Sequence, residues 1–428
     1  MTSLPGKKVT VLGLGQSGYE SALFLRRQGF DVLVYDDASS EISRGRAGRL
    51  LREGICVELG GHSGGSIFGS DWILVSPGIK PAAPIYRDAV ARKIPMLSEI
   101  EVAWRFCPSR DVIAITGTCG KTTVATLLHR ALKTKFPGAT LCGNIGDPWI
   151  GALEGIGVDQ PVIVEVSSFQ LQNCQELHPR VSVILNLSPN HLDWHADMGE
   201  YVQAKLKAFQ NQVSGDHAVF RRRDQLEFFP EYPILAESIC FGEDLRGNPN
   251  HEVVRTVAAI YGCDVDTVNR ILDAFEGIEH RMERVAVVDG VTYVNDSKCT
   301  TLSSLEWAID QMPDARVLLI AGGRPKAHDF VRLRNKIRQK AREIFVMGEA
   351  APLLRDSWDG LCPVRVVNDL STALESARSA ARTGDTILLS PACASFDMFD
   401  SYQDRGRQFK EWVAQAGAPL STQGDCVT

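Results

Sequence analysis

The residues with the clearest chemistry lie in the stretch DVIAITGTCGKTT, where an apolar run meets a glycine-rich turn. Gly117 and Gly120 let the backbone bend so that successive N–H groups can face an anion at the start of the following helix. Lys121 would add a positive charge near the β- and γ-phosphates, and the Thr122 hydroxyl would reach Mg²⁺. The common pattern has a further glycine two residues earlier, which this chain replaces with isoleucine. The remaining residues still predict a site for a nucleoside triphosphate.

Two other side chains could lie beside a metal ion. Glu165 ends the apolar run Val162–Val166, and a carboxylate at the end of a strand near a phosphate loop is typical of a Mg²⁺ ligand. His191 follows another apolar run, within the pattern H-x-D-x-H that continues to Asp193 and His195. A zinc site is the less favoured interpretation, because a loop lacks the fixed face that spaced histidines share on a helix.

A second glycine-rich motif, GLGQSG at residues 13–18, follows a short strand and precedes a helical pattern. Asp36 and Asp37 end the next strand about twenty residues later, which completes a dinucleotide-type fingerprint. Alone this motif is a weak signal, so it predicts a bound diphosphate rather than NAD in particular. Further on, an apolar strand leads to Pro77 and Gly78 at the carboxyl edge of a sheet, where open α/β sheets bind ligands.

The elements that must position these residues alternate between strand and helix along the whole chain, which predicts an α/β fold. With 428 residues the chain is too long for one core. We therefore expect three domains: a Rossmann-like domain over residues 1–93, a central P-loop ATPase α/β domain over 94–278, and a C-terminal Rossmann-like α/β domain over 279–428. Residues 93–110 are interpreted as the first boundary.

Composition limits the classes of partner. The formal net charge is -6, and a nucleic-acid partner would need a basic surface. No apolar segment is long enough to cross a bilayer, and the 11 cysteines include no C-x-x-C pair. We expect a cytoplasmic monomer that acts on small molecules, without nucleic acid or membrane insertion.

Seven motifs occur in order along the chain: TGTCGKTT at 116–123, GNIG at 143–146, EVSSFQ at 165–170, HLD at 191–193, HRME at 280–283, NDSKCT at 295–300 and SPACASFD at 390–397. Together they make the chain resemble the Mur ligase family, and the motif SPACASFD is most similar to the branch that adds D-glutamate. The resemblance implies a peptidoglycan-precursor ligase with three domains. Its implied reaction uses ATP to phosphorylate the alanyl carboxylate of UDP-N-acetylmuramoyl-L-alanine, and the amine of D-glutamate then attacks the acyl phosphate.

The resemblance also implies a role for each matching residue. The catalytic set is Lys121, Glu165, His191 and Lys205. The ligands of Mg²⁺ are Thr122, Glu165, His191 and Lys205 as a carbamate. The nucleotide contacts are Gly117, Thr118, Gly120, Lys121, Thr122, Thr123, His280, Arg281, Asp296 and Lys298. The UDP-sugar contacts are Gly15, Gln16, Ser17, Pro77, Gly78 and Asn144, and Gln170 is a further substrate contact. Thr300 reaches ATP and D-glutamate, and the D-glutamate pocket is Lys326, Ser395, Phe396 and Tyr402.

The chain also departs from the family pattern. Pro249 and Val253 stand where a histidine and an asparagine are usual, which affects the expected adenine contacts, and Arg324 replaces a smaller or acidic residue. Another Mur ligase with a different amino-acid specificity and a folylpolyglutamate-synthase-like ligase stay open as alternatives. A nicotinamide-dependent oxidoreductase would leave the phosphate loop unexplained. A non-catalytic nucleotide-binding module would have no need for both Lys121 and Glu165.

Overall fold

The structure is a computed structural model of the chain. It describes residues 4–60, 67–191, 194–243, 248–275, 277–325, 329–416 and 425–426. The chain divides into two compact units, Met1–Ala274 and Phe275–Thr428.

The first unit begins with a five-stranded parallel sheet in the order β3-β2-β1-β4-β5. Its strands are β1 Lys8–Leu12, β2 Asp31–Asp36, β3 Cys56–Leu59, β4 Trp72–Val75 and β5 Met96–Ser98. The helices of this part are α1 Gln16–Arg27, α2 Glu41–Arg52, α3 Pro84–Ala91 and α4 Glu99–Phe106. The central strands β1 and β4 are apolar and almost wholly buried, as parallel strands covered on both faces should be. Strand β5 lies after residue 93, where the sequence predicts the first domain to end.

A second parallel sheet, in the order β11-β10-β9-β6-β8-β7, completes the first unit. Its strands are β6 Val112–Thr116, β7 Thr140–Gly143, β8 Val162–Glu165, β9 Val181–Ile184, β10 His217–Arg221 and β11 Glu237–Phe241. Its helices are α5 Lys121–Lys133, α6 Trp149–Ala152, α7 Ser168–Gln172, α8 Met198–Leu206, α9 Arg222–Phe228, α10 Pro249–Ile260 and α11 Val265–Asp273, with a 3-10 turn at Leu153–Gly155. The phosphate-loop strand β6 lies between β8 and β9, so the loops after all three strands meet at one edge of the sheet.

The second unit is built on a seven-stranded sheet in the order β16-β15-β14-β17-β13-β12-β18. Its strands are β12 Glu283–Val288, β13 Val291–Asn295, β14 Val317–Gly322, β15 Ala341–Met347, β16 Val364–Val366, β17 Thr386–Leu389 and β18 Asp425–Cys426. Its helices are α12 Leu302–Asp310, α13 Arg334–Lys340, α14 Ala351–Trp358, α15 Leu370–Ala380 and α16 Tyr402–Gln415, with a 3-10 turn at Phe330–Leu333. The hairpin β12–β13 and strand β18 pair antiparallel, and the other pairs are parallel.

The segment 93–110, where the sequence predicts the first domain boundary, holds β5 and α4, and α4 is capped by the Ser98 side chain. The buried Glu101 carboxylate accepts N–H bonds from residues 175–177 and pairs with Arg105. This segment is therefore well packed. Among the described residues, no helix is long and apolar enough to cross a membrane.

Candidate active site

The phosphate loop has the geometry that its glycines predict. Gly117 and Gly120 adopt φ angles of +146° and +83°, which side-chain-bearing residues rarely reach. Gly120 is the N-cap of α5, so Lys121, Thr122 and the following residue form the first turn of that helix. The Lys121 ammonium folds back and donates to the carbonyl oxygens of Gly117 and Thr118 at 2.9 and 3.0 Å. The loop therefore gathers a lysine and a helix N-terminus at one point, as an anion site requires.

Lys205 reaches the same loop from α8. Its ammonium group donates to the Gly117 carbonyl oxygen at 2.9 Å and to the Thr116 hydroxyl at 3.2 Å. The side chain is buried, and burial, together with the nearby Lys121 charge, holds its pKa well below the ordinary value for lysine. In the sequence, only the family resemblance singles out Lys205.

Asn186 braces the phosphate loop and was missed by the sequence analysis. Its Oδ1 accepts the Cys119 N–H at 2.8 Å, and its Nδ2 donates to the Cys119 carbonyl oxygen at 3.1 Å. The Asn186 carbonyl oxygen also accepts the Thr118 N–H at 2.9 Å. Asn186 follows β9, the strand beside the loop strand, so its position at the carboxyl edge was the signal that could have revealed it.

Glu165 lies at the end of β8 and is buried. One carboxylate oxygen, Oε1, accepts the Asn144 amide N–H at 2.8 Å. The other, Oε2, is buried and has no hydrogen-bond partner among the described residues, so it is available to a cation. The Thr122 hydroxyl is also on a buried side chain, at the start of α5. These residues fit a Mg²⁺ site whose other ligands would be water and phosphate oxygens.

His191 lies within an aromatic cluster. Its backbone is left-handed, with φ of +57°, and its ring packs edge-on against Phe169 at 4.7 Å between centroids. Phe169 also packs on Trp194 and His195, and Nε2 of His195 lies 2.9 Å from the hydroxyl of Ser168. His195 therefore turns toward α7. Asp193 lies outside the described residues. Among the residues that are described, no group of three or more histidine, cysteine or acidic side chains is placed to hold a metal ion.

The Tyr201 hydroxyl connects this cluster to the phosphate loop. It lies 2.9 Å from the hydroxyl of Thr118, and burial raises the pKa of Tyr201 to about 12, so the phenol stays protonated. The side chain of Gln170, which was predicted to contact substrate, forms hydrogen bonds within the local structure. Its amide oxygen accepts the Ser167 N–H at 3.0 Å in a capping box at the start of α7.

The N-terminal motif shows open space where a diphosphate would approach. A side chain at Gly15 would meet no atom within 4 Å, whereas one at Gly18 would lie 1.9 Å from the Gly13 carbonyl oxygen. Gly15 therefore leaves room, and Gly18 permits close packing of the helix on the loop. The Ser17 hydroxyl is buried and has no hydrogen-bond partner among the described residues.

In a dinucleotide-type fingerprint, an acid at the end of the second strand would bind a ribose. The Asp36 carboxylate instead forms hydrogen bonds within the chain. Its two carboxylate oxygens accept the N–H groups of Leu14 and Ala38, so it braces the glycine loop. Arg46, missed by the sequence analysis, donates to the Leu14 carbonyl oxygen at 3.0 Å and to the Gln16 amide oxygen at 2.9 Å. This arginine places a cation beside the predicted diphosphate position. Pro77 and Gly78 follow β4 at the same edge of the sheet.

The second unit brings Asp296 and Lys298 together in the loop after β13. The Asp296 carboxylate is buried, accepting the Ser390 hydroxyl at 2.8 Å and the Met282 N–H at 3.2 Å. Burial raises the pKa of Asp296 to about 7, although the hydrogen bonds and the Arg281 charge oppose the shift. The Lys298 ammonium lies 5.9 Å from the centre of the Tyr402 ring.

The His280 side chain is buried within the second unit. From the family resemblance, we expect it to contact the nucleotide. Its Nδ1 lies 2.9 Å from the amide nitrogen of Asn295. Arg281, by contrast, is half-buried. The two neighbouring residues thus differ in burial.

The residues predicted to contact D-glutamate are only partly grouped by the described structure. Ser395 is buried, whereas the Phe396 side chain is 56% exposed. Tyr402 begins α16, and Thr300 lies in the loop before α12. Lys326 lies outside the described residues. Arg324 forms a two-pronged pair with Glu349, so this departure from the family pattern has a partner within the chain.

Asn250 lies beside the phosphate loop, in the segment where the sequence departs from the family pattern. A side chain built at Gly120 would lie 2.8 Å from Oδ1 of Asn250, in the first turn of α10. Pro249 begins this helix, where proline is well tolerated, and Val253 is buried in it. Both substitutions are therefore compatible with a helix that packs beside the phosphate loop.

Parallel sheets carrying a phosphate loop, a buried acid beside it and a glycine-rich diphosphate loop define a nucleotide-dependent α/β enzyme. Three family models match successive parts of the chain: "Mur ligase MurD-like, N-terminal domain" at residues 7–98, "Mur ligase middle domain" at 115–233 and "Mur ligase, glutamate ligase domain" at 280–393. The UDP-N-acetylmuramoylalanine--D-glutamate ligase of Pelotomaculum thermopropionicum is 35% identical, over 95% of this chain and 97% of its own. The chain belongs to the Mur ligase family, and its three-domain α/β fold is the one predicted.

Solved structures show the same fold at lower identity. The UDP-N-acetylmuramate-alanine ligase MurC of Thermotoga maritima matches with a TM-score of 0.54 and 17% identity, over 96% of this chain and 99% of its own. The MurF ligase of Thermotoga maritima, solved with ADP, matches with a TM-score of 0.56 and 13% identity, over 90% and 96%.

Proposed function

We propose that this chain is an ATP-dependent ligase that joins D-glutamate to UDP-N-acetylmuramoyl-L-alanine during peptidoglycan precursor synthesis. The observation that carries the proposal is the match in sequence, over nearly the full length of both chains, to relatives with this activity. The MurD-like model at residues 7–98 favours it over a folylpolyglutamate-type reaction. Another amino-acid specificity within the Mur ligases is the second candidate.

The reaction has two steps. The γ-phosphoryl group of ATP passes to the alanyl carboxylate of the UDP-sugar substrate, which yields an acyl phosphate and ADP. The amine of D-glutamate then attacks the acyl carbon, loses a proton and displaces phosphate, leaving an amide. Activation is needed because a carboxylate is a poor electrophile until one of its oxygens becomes a leaving group.

The phosphate loop supplies the positioning and charge that phosphoryl transfer requires. We assign the phosphate contacts to the loop residues Gly117, Thr118, Gly120, Lys121, Thr122 and Thr123. Lys121 now binds two loop carbonyl oxygens and would exchange them for phosphate oxygens. The N-terminus of α5 faces the same point, so its dipole favours the negative charge.

Glu165, Thr122 and His191 are the residues that we assign to Mg²⁺. The ion would neutralise the charge that develops on the transferring phosphoryl group. Support comes from the second carboxylate oxygen of Glu165, which is buried and has no partner among the described residues. The Asn144 amide fixes the other oxygen, so the carboxylate is held in one orientation.

Lys205 is assigned as a carbamate, an additional oxygen ligand for the metal. The resemblance to the family and the contact between Lys205 and the loop at Gly117 support this assignment. A carbamate would replace the buried Lys205 cation by an anion that lies between the Lys121 ammonium and the metal ion. Both positive charges could then interact with this anion, which would stabilise its buried charge.

The substrate contacts follow from the remaining positions. Gly15, Gln16, Ser17, Pro77 and Gly78 would bind the diphosphate end of the UDP-sugar, with Arg46 as an added cation. Asn144 and Gln170 would bind its sugar end. In the second unit we assign Arg281, Asp296 and Lys298 to the nucleotide. The D-glutamate contacts would be Thr300, Lys326, Ser395, Phe396 and Tyr402.

The oxygen atoms of the substrate test the acyl-phosphate route. If UDP-N-acetylmuramoyl-L-alanine carries ¹⁸O in its alanyl carboxylate, one labelled oxygen should appear in the released phosphate, as measured by mass spectrometry. Label that stays wholly in the amide product and in water would contradict an acyl phosphate. Product formation must depend on both ATP and D-glutamate, and omission of either is the control.

We further infer a monomer that works in the cytoplasm, where ATP and small-molecule precursors are supplied. The acidic charge balance supports small-molecule substrates over nucleic acid. Light scattering should give a mass near 46.9 kDa at micromolar concentration. A mass near twice that value would contradict the monomer.

A further inference from the structure

Arg281 lies in a turn with unusual backbone geometry. In the HRM turn, defined here as residues 279–283, the two neighbours of Arg281 are both left-handed. His280 has φ of +63° and Met282 has φ of +48°. Residues with side chains rarely adopt this conformation and keep it only when surrounding contacts hold them there. The contacts that hold this turn therefore bear on where Arg281 is placed.

The Arg281 N–H donates to the Ile278 carbonyl oxygen at 3.0 Å, and three further hydrogen bonds hold the backbone of the HRM turn. The His280 N–H donates to Oε2 of Glu283 at 2.9 Å, and the Met282 N–H donates to Oδ1 of Asp296 at 3.2 Å. The Lys298 N–H donates to the His280 carbonyl oxygen at 2.9 Å. The turn and the loop after β13 are thus one hydrogen-bonded assembly, which holds all three residues assigned to the nucleotide in this unit.

The His280 ring is the buried centre of this assembly. Its Nδ1 lies 2.9 Å from Nδ2 of Asn295. The same Asn295 amide nitrogen lies 3.0 Å from Oε2 of Glu283 and 3.2 Å from the Gly406 carbonyl oxygen in α16, so its two N–H groups are shared among these neighbours. On the outer side, Lys410 pairs with both Glu279 and Glu283.

Gly406 leaves space for the ring. A Cβ atom built at this position would lie 2.3 Å from Nδ1 and 2.8 Å from Cγ of His280. Real Cβ atoms do not approach other atoms so closely, so any side chain here must displace the imidazole. A glycine inside a helix costs stability relative to alanine, and here it permits close approach of the helix to the ring.

We propose that His280, Asn295 and Gly406 are positioning residues that hold Arg281 in place for the nucleotide phosphates. His280 acts through the HRM turn and does not itself bind the nucleotide, which replaces the role expected for it from the sequence. The inference rests on the proposed function, because that function assigns Arg281 to the nucleotide.

The first test is Gly406→Ala, measured by steady-state kinetics and by calorimetric binding of ADP. Displacement of the ring should move the HRM turn, so ADP affinity and kcat should each fall by about tenfold or more. KM for D-glutamate should change much less. Gly45→Ala is the matched control, because Gly45 also lies in a helix, α2, and an added Cβ would meet nothing within 4 Å. This control should keep wild-type kinetics.

The second test is suppression. His280→Gly removes the ring together with Cγ and leaves a residue that readily adopts the left-handed conformation. Alone it should weaken ADP binding a few-fold. In the double variant G406A/H280G the clash is gone, so ADP should bind as tightly as it does to H280G and more tightly than to G406A. The proposal would be overturned if the losses of ADP affinity in the two single variants multiplied in the double variant. It would also be overturned if G406A bound ADP as tightly as the wild type does.

The outcomes separate this inference from the proposed function. If the wild-type enzyme shows no turnover with D-glutamate, the proposed function fails, while the ADP-binding series still tests the positioning role. If wild-type turnover is normal and G406A binds ADP normally, only the positioning role fails. If G406A does not fold but G406A/H280G folds and binds ADP, the clash is confirmed. H280G with unchanged ADP affinity would contradict the proposal in that case.

Discussion

The Lys205 ammonium group lies 2.9 Å from the carbonyl oxygen of Gly117 and so links helix α8 to the phosphate loop. The two residues are far apart in sequence and meet because β6 and β9 are neighbours in the sheet. The lysine is buried, and its pKa is held well below the ordinary value by burial and by Lys121. A lysine in this position is poorly explained as a surface charge, and it is the first target for mutation.

We predict that Lys205→Ala loses at least about 100-fold in kcat, since it removes a charged group from a site that works by electrostatic stabilisation. A short carboxylate such as formate or acetate should partly restore turnover by replacing the carbamate. Lys207→Ala is the control, because Lys207 binds the Cys174 carbonyl oxygen at 3.2 Å and lies two residues away. No rescue of Lys205→Ala at any carboxylate concentration would count against the carbamate.

Lys121→Ala should abolish measurable turnover, a loss of about 1,000-fold or more, because the phosphates lose their nearest positive charge. Its circular dichroism spectrum and melting temperature should stay close to those of the wild type. Lys133→Ala, at the exposed end of the same helix, should retain full activity. Full activity of Lys121→Ala would remove the basis for the nucleotide assignment.

Asn186→Ala should raise KM for ATP by about tenfold and lower kcat less, because the loop loses both bonds between the Asn186 side chain and Cys119. Asn186→Asp keeps the acceptor for the Cys119 N–H but loses the donor. Its KM for ATP should therefore lie between those of the wild type and Asn186→Ala. Steady-state kinetics at varied ATP concentration measure both. The account of the brace is wrong if both variants match the wild type.

The buried Asp296 carboxyl group should make stability depend on pH. Burial raises its pKa in the folded chain from 3.8 to about 7, so the folded chain keeps a proton that the unfolded chain releases. Stability from this group is therefore greatest at low pH and is lost as pH rises from about 4 to about 7. The neutral Asp296→Asn variant keeps an acceptor for the Met282 N–H and lacks this dependence.

Urea unfolding at several pH values tests this directly. The stability of Asp296→Asn relative to the wild type should grow by a few kcal/mol between pH 4 and 7 and then level off. Arg281 and the Cys299 thiol are the titratable groups nearest to this carboxyl, and both remain in the variant. A difference that stays constant across this range would show that Asp296 is ionised in the folded chain.

The sequence predicted those parts of the site that depend on local chain geometry. The glycines and Lys121 work through one strand, one turn and one helix, so spacing alone identifies them. Glu165 was found for a similar reason, because the end of an apolar strand fixes its place at the sheet edge. The α/β fold followed from the alternation of apolar runs.

The remaining parts depend on contacts between distant segments. Asn186 and Tyr201 brace the loop across strands, and no spacing within the chain encodes which strands are neighbours. Asp36 fits a ribose-binding motif but is occupied by the N–H groups of Leu14 and Ala38. The direction of the His280 ring depends on Gly406, more than 100 residues away. Each of these required the packed structure.

The D-glutamate ligase function is tested by phosphate release from ATP and Mg²⁺ with UDP-N-acetylmuramoyl-L-alanine. The release is measured separately with D-glutamate, L-glutamate and meso-diaminopimelate. We predict release with D-glutamate alone, at a rate that Lys121→Ala abolishes. Release with another amino acid would keep the ligase chemistry and contradict the assigned specificity. No release with any of the three would contradict the proposed function itself.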